Sequence, residues 1–362
     1  MPSRGGGFAT GVYAFVALLG LAARLTLAAT SPAGVELGYY SQVAGALSRG
    51  EGAYATSLNN YSPIWSGVIR LVDRASRDSG ISFALLMRML VIAVDLVSAA
   101  VLWRLARRRG GDPWRVVALF LANPVSVWVT GFQGQFDGVS LVFLLLAILV
   151  TGEGVGSASG KPPAWIFLTL SIATKQITAL HPILWMKRFH NRATVLLPWV
   201  LTALLFVPFA REWRSIRDNV LLYRGVPRSY GLSELVLFDE RWGTVVGLTA
   251  LAAGLVTAWR LRDEPDLVRA SLVLFLVLLV FAPGFGTQYA VWPLTLGVLT
   301  AGAGYFLCTV ATMAWTLGSH YGVPGSGRWM GHVVWLSFVF WLVRETMPAS
   351  RRAPRRIPAQ GS

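Results

Sequence analysis

Polar residues that could do chemistry stand at the ends of long apolar stretches, and the first of them is Glu36. It follows the apolar stretch at 8–30 and precedes the aromatic pair Tyr39 and Tyr40. A carboxylate in such a place can take a proton from a sugar hydroxyl and so act as a general base. The alternative is a solvated loop charge without a chemical role.

A second polar group separates two apolar stretches and consists of Gln133, Gln135 and Asp137. Amides and carboxylates are poor partners for lipid, so we expect them to face a cavity or one another. Because each sugar hydroxyl both donates and accepts hydrogen bonds, these groups suit a sugar site. The alternative is a helix cap, since aspartate is a favoured residue at a helix start.

Cations form a third group. Lys175 stands beside Gln176 within the apolar segment 163–186, and Arg224 and Arg228 follow further along the chain. Such cations can neutralise a phosphate, and a guanidinium can do so through two parallel hydrogen bonds. For the two arginines the alternative is that their charged heads reach to water from an apolar neighbourhood.

Two further sets interrupt apolar stretches. Gln288 and Tyr289 precede Trp292; a belt of aromatic residues at a membrane interface explains the rings but not the glutamine. Arg88 and Asp95 lie seven positions apart, hence on one helical face, within another apolar stretch. Buried charge is unfavourable unless paired, so these two pair or line the interior, and a structural role is favoured.

Several common types of active site are absent from the sequence. It contains no Walker loop, no zinc-ligand spacing and no nucleophile elbow, and it has only four histidines and one cysteine, Cys308. These absences argue against metal-dependent hydrolysis. We therefore predict no cofactor, with a divalent metal left open.

The composition predicts a membrane protein. Of the 362 residues, 54% are hydrophobic and 14% charged, and the mean hydropathy is +0.56. Apolar runs long enough to cross a bilayer recur along the chain, and a span without water must satisfy its own backbone hydrogen bonds, which favours helices. The net charge of +15 falls in short clusters between these runs, so the expected partner is a membrane and not nucleic acid.

The clusters of basic residues predict the topology, because such clusters mark the cytoplasmic side. An all-α bundle of about ten to twelve spans, with both termini cytoplasmic, places four clusters there: 104–115, 187–192, 260–269 and 344–356. The spans lie near 8–30, 81–103, 114–130, 138–151, 193–209, 241–260, 269–283, 289–303, 304–320 and 331–344. A cleaved signal peptide is the alternative for the first stretch.

The segment 163–186 must cross twice in this scheme, which predicts short or broken helices meeting near Lys175 and Gln176. The external segment 31–80 has the spacing of one or two amphipathic helices at the interface. One transmembrane domain covers 1–344, and a disordered basic cytoplasmic tail covers 345–362.

Taken in order, these residues resemble the membrane glycosyltransferases of the GT-C fold that use polyprenyl-phosphate sugars, and most of all the bacterial polyprenol-phosphate-mannose-dependent mannosyltransferases. The resemblance covers residues 24–293 and is carried by Arg24, Glu36, Tyr40, Ala44, Leu47, Gly50, Tyr54, Tyr61-Ser-Pro63, Arg88, Asp95, Asn123-Pro124, Gly134-Gln135-Phe136-Asp137, Lys175-Gln176, Pro182, Gln288-Tyr289, Trp292 and Pro293. The family usually has aspartate where this chain has Glu36. It also has, in some members, a paired acidic metal site that this chain lacks.

The resemblance implies transfer of a hexose, most simply mannose, from a polyprenyl phosphate to a lipid or glycan acceptor on the outer face of a bacterial plasma membrane. Glu36 would be the base; Lys175, Arg224 and Arg228 would hold the phosphate; the sugar would contact Gln133, Gln135, Asp137, Gln176, Gln288 and Tyr289. The alternatives are a transporter or lipid flippase, for which an internal repeat is expected and not found, and a non-catalytic scaffold.

Overall fold

The computed structural model describes residues 5–152, 164–189, 191–222, 243–284, 286–324 and 329–347, and within these ranges the protein is entirely helical. The α-helices are α1 (Gly5–Thr30), α2 (Val35–Ser48), α3 (Pro63–Ser79), α4 (Phe83–Arg108), α5 (Pro113–Leu121), α6 (Pro124–Val127), α7 (Asp137–Thr151), α8 (Ala164–Thr174), α9 (Leu197–Leu204), α10 (Trp213–Ile216), α11 (Gly243–Leu261), α12 (Leu267–Phe281), α13 (Val291–Gly297), α14 (Ala303–His320) and α15 (Gly331–Thr346). The predicted all-α class is confirmed for these residues.

Short π and 3-10 turns join several of these helices. A π turn, Trp128–Gln133, continues α6, and a second, Arg217–Leu221, continues α10. The 3-10 turns are Gln176–Thr178, His181–Trp185, Arg192–Leu196, Val207–Glu212 and Thr287–Ala290. The segment 31–80, for which one or two helices were predicted, contains two, α2 and α3.

Two described helices are long and apolar enough to cross a membrane, within Gly7–Thr30 and Phe83–Arg108. Two bent pairs, Pro113–Leu121 with Pro124–Gln133 and Arg192–Leu204 with Val207–Leu221, would raise the number to four if each pair is one span. Shorter apolar helices include α7, α8 and α12. A helical bundle is therefore shown, whereas ten to twelve spans stays a prediction.

The predicted break near Lys175 is confirmed, because α8 ends at Thr174 and 3-10 turns follow it. The predicted continuous span at 289–303 is wrong, since α13 ends at Gly297 and α14 begins at Ala303. The indole of Trp341 lies where side chains on Gly297 and Gly304 would stand. This ring fills the space at the interruption, and it is almost fully buried.

The basic clusters meet at one end of the bundle. The described parts of the other three cluster segments each contact 262–269: Arg109 pairs with Asp266, Lys187 with Asp263 (2.6 Å each), and Arg269 donates to the Glu345 main-chain oxygen (2.6 Å). The hydrogen bond from Lys187 is the main cause of a lowered pKa for Asp263. Four sequence regions predicted to share one side of the membrane therefore lie together.

A buried arginine of α1 connects this helix with α4, with α5 and with α6 and its π turn. Arg24 of α1 is fully buried and forms an ion pair with Asp95 of α4 at 2.9 Å. The Nε of this pair also reaches the Thr130 hydroxyl (3.2 Å), while Nη1 and Nη2 reach the Ser126 hydroxyl (2.8 Å) and the main-chain oxygens of Gly20, Phe120 and Leu121. Asp95 is thus paired with Arg24 and not with Arg88.

Gly20 makes the close crossing of α1 and α5 possible, and its replacement gives a test. A Cβ there would overlap the Leu121 carbonyl, whereas a Cβ on Gly11 of the same helix would meet nothing within 4 Å. We expect Gly20→Val to lower the free energy of unfolding by roughly 1–3 kcal/mol, because backbone is displaced. Gly11→Val, the matched control, should change it by less than about 0.5 kcal/mol. Thermal unfolding in detergent compares them; equal values would contradict the described crossing.

Candidate functional site

Asp137 is the centre of the candidate site. It is the first residue of α7 and is fully buried. Its Oδ2 accepts a hydrogen bond from the Lys175 ammonium at 2.7 Å, and its Oδ1 accepts one from the Trp292 indole at 2.6 Å. The N-cap residue of α7 is Phe136, and the hydrogen bonds that the described residues make to the Asp137 carboxylate are these two. The carboxylate therefore joins three distant segments, and the helix-cap alternative is not what the structure shows.

Lys175 reaches this carboxylate because its backbone is extended between α8 and the next turn, with φ −152° and ψ 130°. Its ammonium also lies 4.9 Å from the centroid of the Phe136 ring and 5.5 Å from that of Tyr289. Both aromatic faces attract a cation, which adds to the pairing with the carboxylate. The cation is mostly buried, and one of its three N–H donors is used by Asp137.

Gln176 points away from Lys175, as expected for neighbours at an extended residue. Its side-chain amide donates to the main-chain oxygens of Asn60 (3.4 Å) and Val220 (3.5 Å). Its carbonyl oxygen is enclosed and accepts no hydrogen bond from the described residues. The break after α8 thus presents two polar side chains to two different surroundings.

An aromatic cluster lies beneath the ammonium. Phe136 stacks on Trp65 with 3.9 Å between ring centroids, and Tyr40 and Tyr61 meet it edge-on. These rings come from α2, the loop before α3, α3 itself and the turn before α7. Their packing holds α2 and α3 against the residues next to Asp137.

Glu36 lies on the helix that carries Tyr40, one turn earlier and on the same face. The Tyr40 hydroxyl donates to the Gln135 side-chain oxygen at 3.0 Å. Glu36 is half-buried, and no hydrogen bond or ion pair joins its carboxylate to another described residue. The structure therefore brings α2 to the polar turn, and no described residue pairs with this carboxylate.

Gln133 lies at the end of the π turn and faces the 3-10 turn Thr287–Ala290. Its amide donates to the Thr287 hydroxyl at 3.2 Å, while its own oxygen is enclosed and unpaired among the described residues. Tyr289 stacks on Trp292 with 4.5 Å between centroids. Gln288 is half-buried and folds over Gly286, with no hydrogen bond to Asp137. Arg224 and Arg228 lie outside the described residues.

Sequence reasoning missed two contributors, Trp65 and Thr287. Trp65 looked like one apolar residue among others in an amphipathic stretch, and its stacking partner is distant in sequence. Thr287 belongs to a short turn whose polar contact depends on Gln133. In the described parts of the chain, no three His, Cys, Asp or Glu side chains lie close enough to hold a metal ion together.

Residues 39–189 match the family described as alpha-(1->6)-mannopyranosyltransferase, N-terminal domain. The chain is a glycosyltransferase. The resemblance to mannosyltransferases inferred from the sequence is thereby confirmed at the level of the family, which supports mannosyl transfer. The match spans less than half of the chain; it includes Asp137 and Lys175 but not Glu36 or Tyr289. No curated protein sequence matches the chain.

The ion pair at the centre of the site gives a second test. Lys175→Met leaves the Asp137 carboxylate buried without its cation, so we expect a loss of about 3–5 kcal/mol in the free energy of unfolding. The double variant Asp137→Asn with Lys175→Met removes both charges and should recover most of that loss. Chemical denaturation of the purified protein measures both. Equal losses in the single and double variants would show that the pairing is not what holds this turn.

Proposed function

We propose that this protein transfers a mannosyl residue from a polyprenyl phosphate to a hydroxyl of a lipid or glycan acceptor on the outer face of the plasma membrane. The observation that carries the proposal is the enclosed cluster of Asp137, Lys175 and Trp292, placed beside α2, whose Glu36 has no hydrogen-bond or ion-pair partner among the described residues. The family match supports the sugar and the class of reaction.

The position of this cluster supports an outer-face site. Asp137 begins α7, while Leu149, near the other end of α7, accepts a hydrogen bond from Arg108 in a basic cluster. Thirteen residues of helix would separate these ends by about 20 Å, a large part of the hydrocarbon thickness. If the basic clusters are cytoplasmic, the site lies toward the opposite leaflet. A bacterial inner membrane, with both termini cytoplasmic, fits this arrangement.

A lipid-linked donor accounts for the enzyme's apolar exterior. The helix α1 exposes Phe8, Phe15 and Leu18 by more than half of their surface. A polyprenyl chain would lie against such surfaces in the bilayer while its phosphate and sugar enter the site. In this proposal residues 1–344 form one transmembrane domain, and residues 345–362 form a basic cytoplasmic tail.

Sugar binding would use the six residues that the resemblance indicates. Among the described residues the enclosed carbonyl oxygens of Gln133 and Gln176 accept no hydrogen bond, so each can accept one from a sugar hydroxyl, Gln176 from the side of the break that faces away from Asp137. Gln135 and Asp137 hold the turn between them, and Gln288 and Tyr289 come from the neighbouring segment. An unpaired buried acceptor is unfavourable, so a hydroxyl that pairs with it gains more than one that exchanges with water.

The reaction proposed is an inverting displacement. Glu36 takes the proton of the acceptor hydroxyl as that oxygen bonds to the anomeric carbon, and the bond from this carbon to the phosphate oxygen breaks. The departing phosphate carries the negative charge away. Lys175 has two N–H donors beyond the one used by Asp137, and together with Arg224 or Arg228 it would stabilise that charge. A divalent metal is not part of this scheme.

The base is tested by Glu36→Gln, which keeps the shape of the side chain and removes its ability to take a proton. We expect kcat to fall by roughly 10²–10⁴-fold, with the free energy of unfolding unchanged. Glu36→Asp should retain part of the activity, since the carboxylate is kept. Transfer of labelled mannose from polyprenyl-phosphate mannose is the measurement; undiminished turnover in the glutamine variant would exclude this base.

The donor is tested with the purified wild-type enzyme and two labelled substrates. Polyprenyl-phosphate mannose should support transfer, whereas a nucleotide-linked mannose should not, because the latter has no lipid to bring it to an apolar site. Enzyme placed in sealed vesicles, with acceptor added on one side only, reports which face is active. Transfer from the nucleotide donor alone would overturn the lipid-donor proposal while keeping the enzyme class.

A further inference from the structure

We propose that Arg88 is a positioning residue for the base, fixing Glu36 relative to the turn that holds Asp137. The proposal rests on the function proposed above. Arg88 of α4 is 2% exposed, and its guanidinium donates only to main-chain oxygens among the described residues. Its ordinary partner, a carboxylate, is missing because Asp95 on the same helical face is bound to Arg24.

The oxygens that Arg88 contacts belong to two separate segments. One segment is the end of α1 and the turn leading to Glu36, contacted at Ala28 (3.3 Å), Ser31 (2.8 Å) and Pro32 (2.6 Å). The other is the end of the π turn, where Nε and Nη2 both donate to Phe132, at 3.0 and 2.7 Å. Glu36 follows the first segment by four residues, and Gln133 follows the second directly. The Arg88 side chain therefore connects the segment that precedes Glu36 with the segment that precedes Gln133.

A second contact, at Gly134, joins the same two segments. Gly134 has φ +67°, and a Cβ on it would stand 2.9 Å from Leu37 Cδ2 and 3.3 Å from Arg88 Cγ. The residue next to Glu36 thus packs on the polar turn at the point where Arg88 passes beneath it. One helical turn further along α2, the hydrogen bond from Tyr40 to Gln135 joins the same helix to the same polar turn.

A guanidinium is needed for this junction. It offers five N–H donors in a rigid plane, so one group can reach carbonyls on both sides at once. An ammonium is a single point with three donors and cannot span both segments in the same way. The carbonyls at the end of α1 also lack helical partners, and Arg88 supplies donors for them.

The chain contains a matched control in Arg188. It is 4% exposed and likewise donates to main-chain oxygens, those of Leu184 (2.7 Å), Arg262 (3.4 Å), Pro265 (3.3 Å) and Glu264. It lies at the basic end of the bundle, away from Asp137. Replacing either arginine removes the same kind of contact, so a purely structural role predicts the same behaviour for both.

The experiment compares Arg88→Lys with Arg188→Lys in the full chain. We expect both to lower the midpoint of thermal unfolding. Only Arg88→Lys should lower kcat, by about tenfold or more, because a small displacement of a catalytic group has a large effect on rate. The KM values for polyprenyl-phosphate mannose and for the acceptor should stay within about twofold, since the groups that bind sugar are unchanged. Methylguanidine should return part of the kcat to Arg88→Ala and none to Arg188→Ala.

A distance measurement completes the test without relying on turnover. Nitroxide labels at the exposed positions Tyr39 and Tyr321 report on α2 and on the residue following His320, whose ring contacts Phe132 (centroids 5.2 Å apart). Arg88→Lys should broaden the distance distribution, and Arg188→Lys should leave it narrow. Unchanged kcat and an unchanged distribution in Arg88→Lys, or equal kcat losses in the two lysine variants, would overturn the inference. An inactive wild type with the expected broadening would overturn the proposed function instead.

Discussion

The site depends on one buried carboxylate that cannot be left alone. Asp137 sits without solvent at a helix start, and its two oxygens are held by an ammonium from one segment and an indole from another. Because an isolated charge in such a place is very unfavourable, the two partners must stay in position for the fold to form. The same requirement brings together α7, the break after α8 and α13. The contacts that stabilise this buried carboxylate are therefore the same contacts that assemble the site.

Two arginines extend this logic to the main chain. Arg24 neutralises Asp95 and also donates hydrogen bonds to the C-terminal end of α5 and to the segment formed by α6 and its π turn. Arg88 donates hydrogen bonds to main-chain oxygens at and after the end of α1. Interrupted helices expose carbonyl groups that a continuous helix would pair internally. Guanidinium groups supply the missing donors, so the bundle can contain irregular turns in its interior. Those turns and the residues next to them carry most of the described polar side chains of the site; the exceptions are Glu36 and Tyr40 on α2, Asp137 at the start of α7 and Trp292 on α13.

Much of this architecture could be predicted from the sequence, and the failures have identifiable causes. The length of the apolar segment 163–186 indicated a break near Lys175, and long apolar runs between basic clusters located most helices. The partner of Asp95 could not be predicted, because spacing places it on the face of Arg88 while the ion pair forms with another helix. The interruption after Gly297 was missed because it depends on Trp341, an aromatic ring inserted from far along the chain. Contacts distant in sequence leave little trace in local patterns.

The single extended residue between α8 and the following 3-10 turn makes chain length as important there as residue type. Lys175 faces Asp137 and Tyr289, and Gln176 faces Asn60 and Val220, because neighbouring side chains at an extended residue point to opposite sides. Inserting or deleting a single residue at this peptide would redirect both side chains, so the ammonium would no longer face the carboxylate. Homologous enzymes should therefore keep both the cation and the number of residues between α8 and the turn.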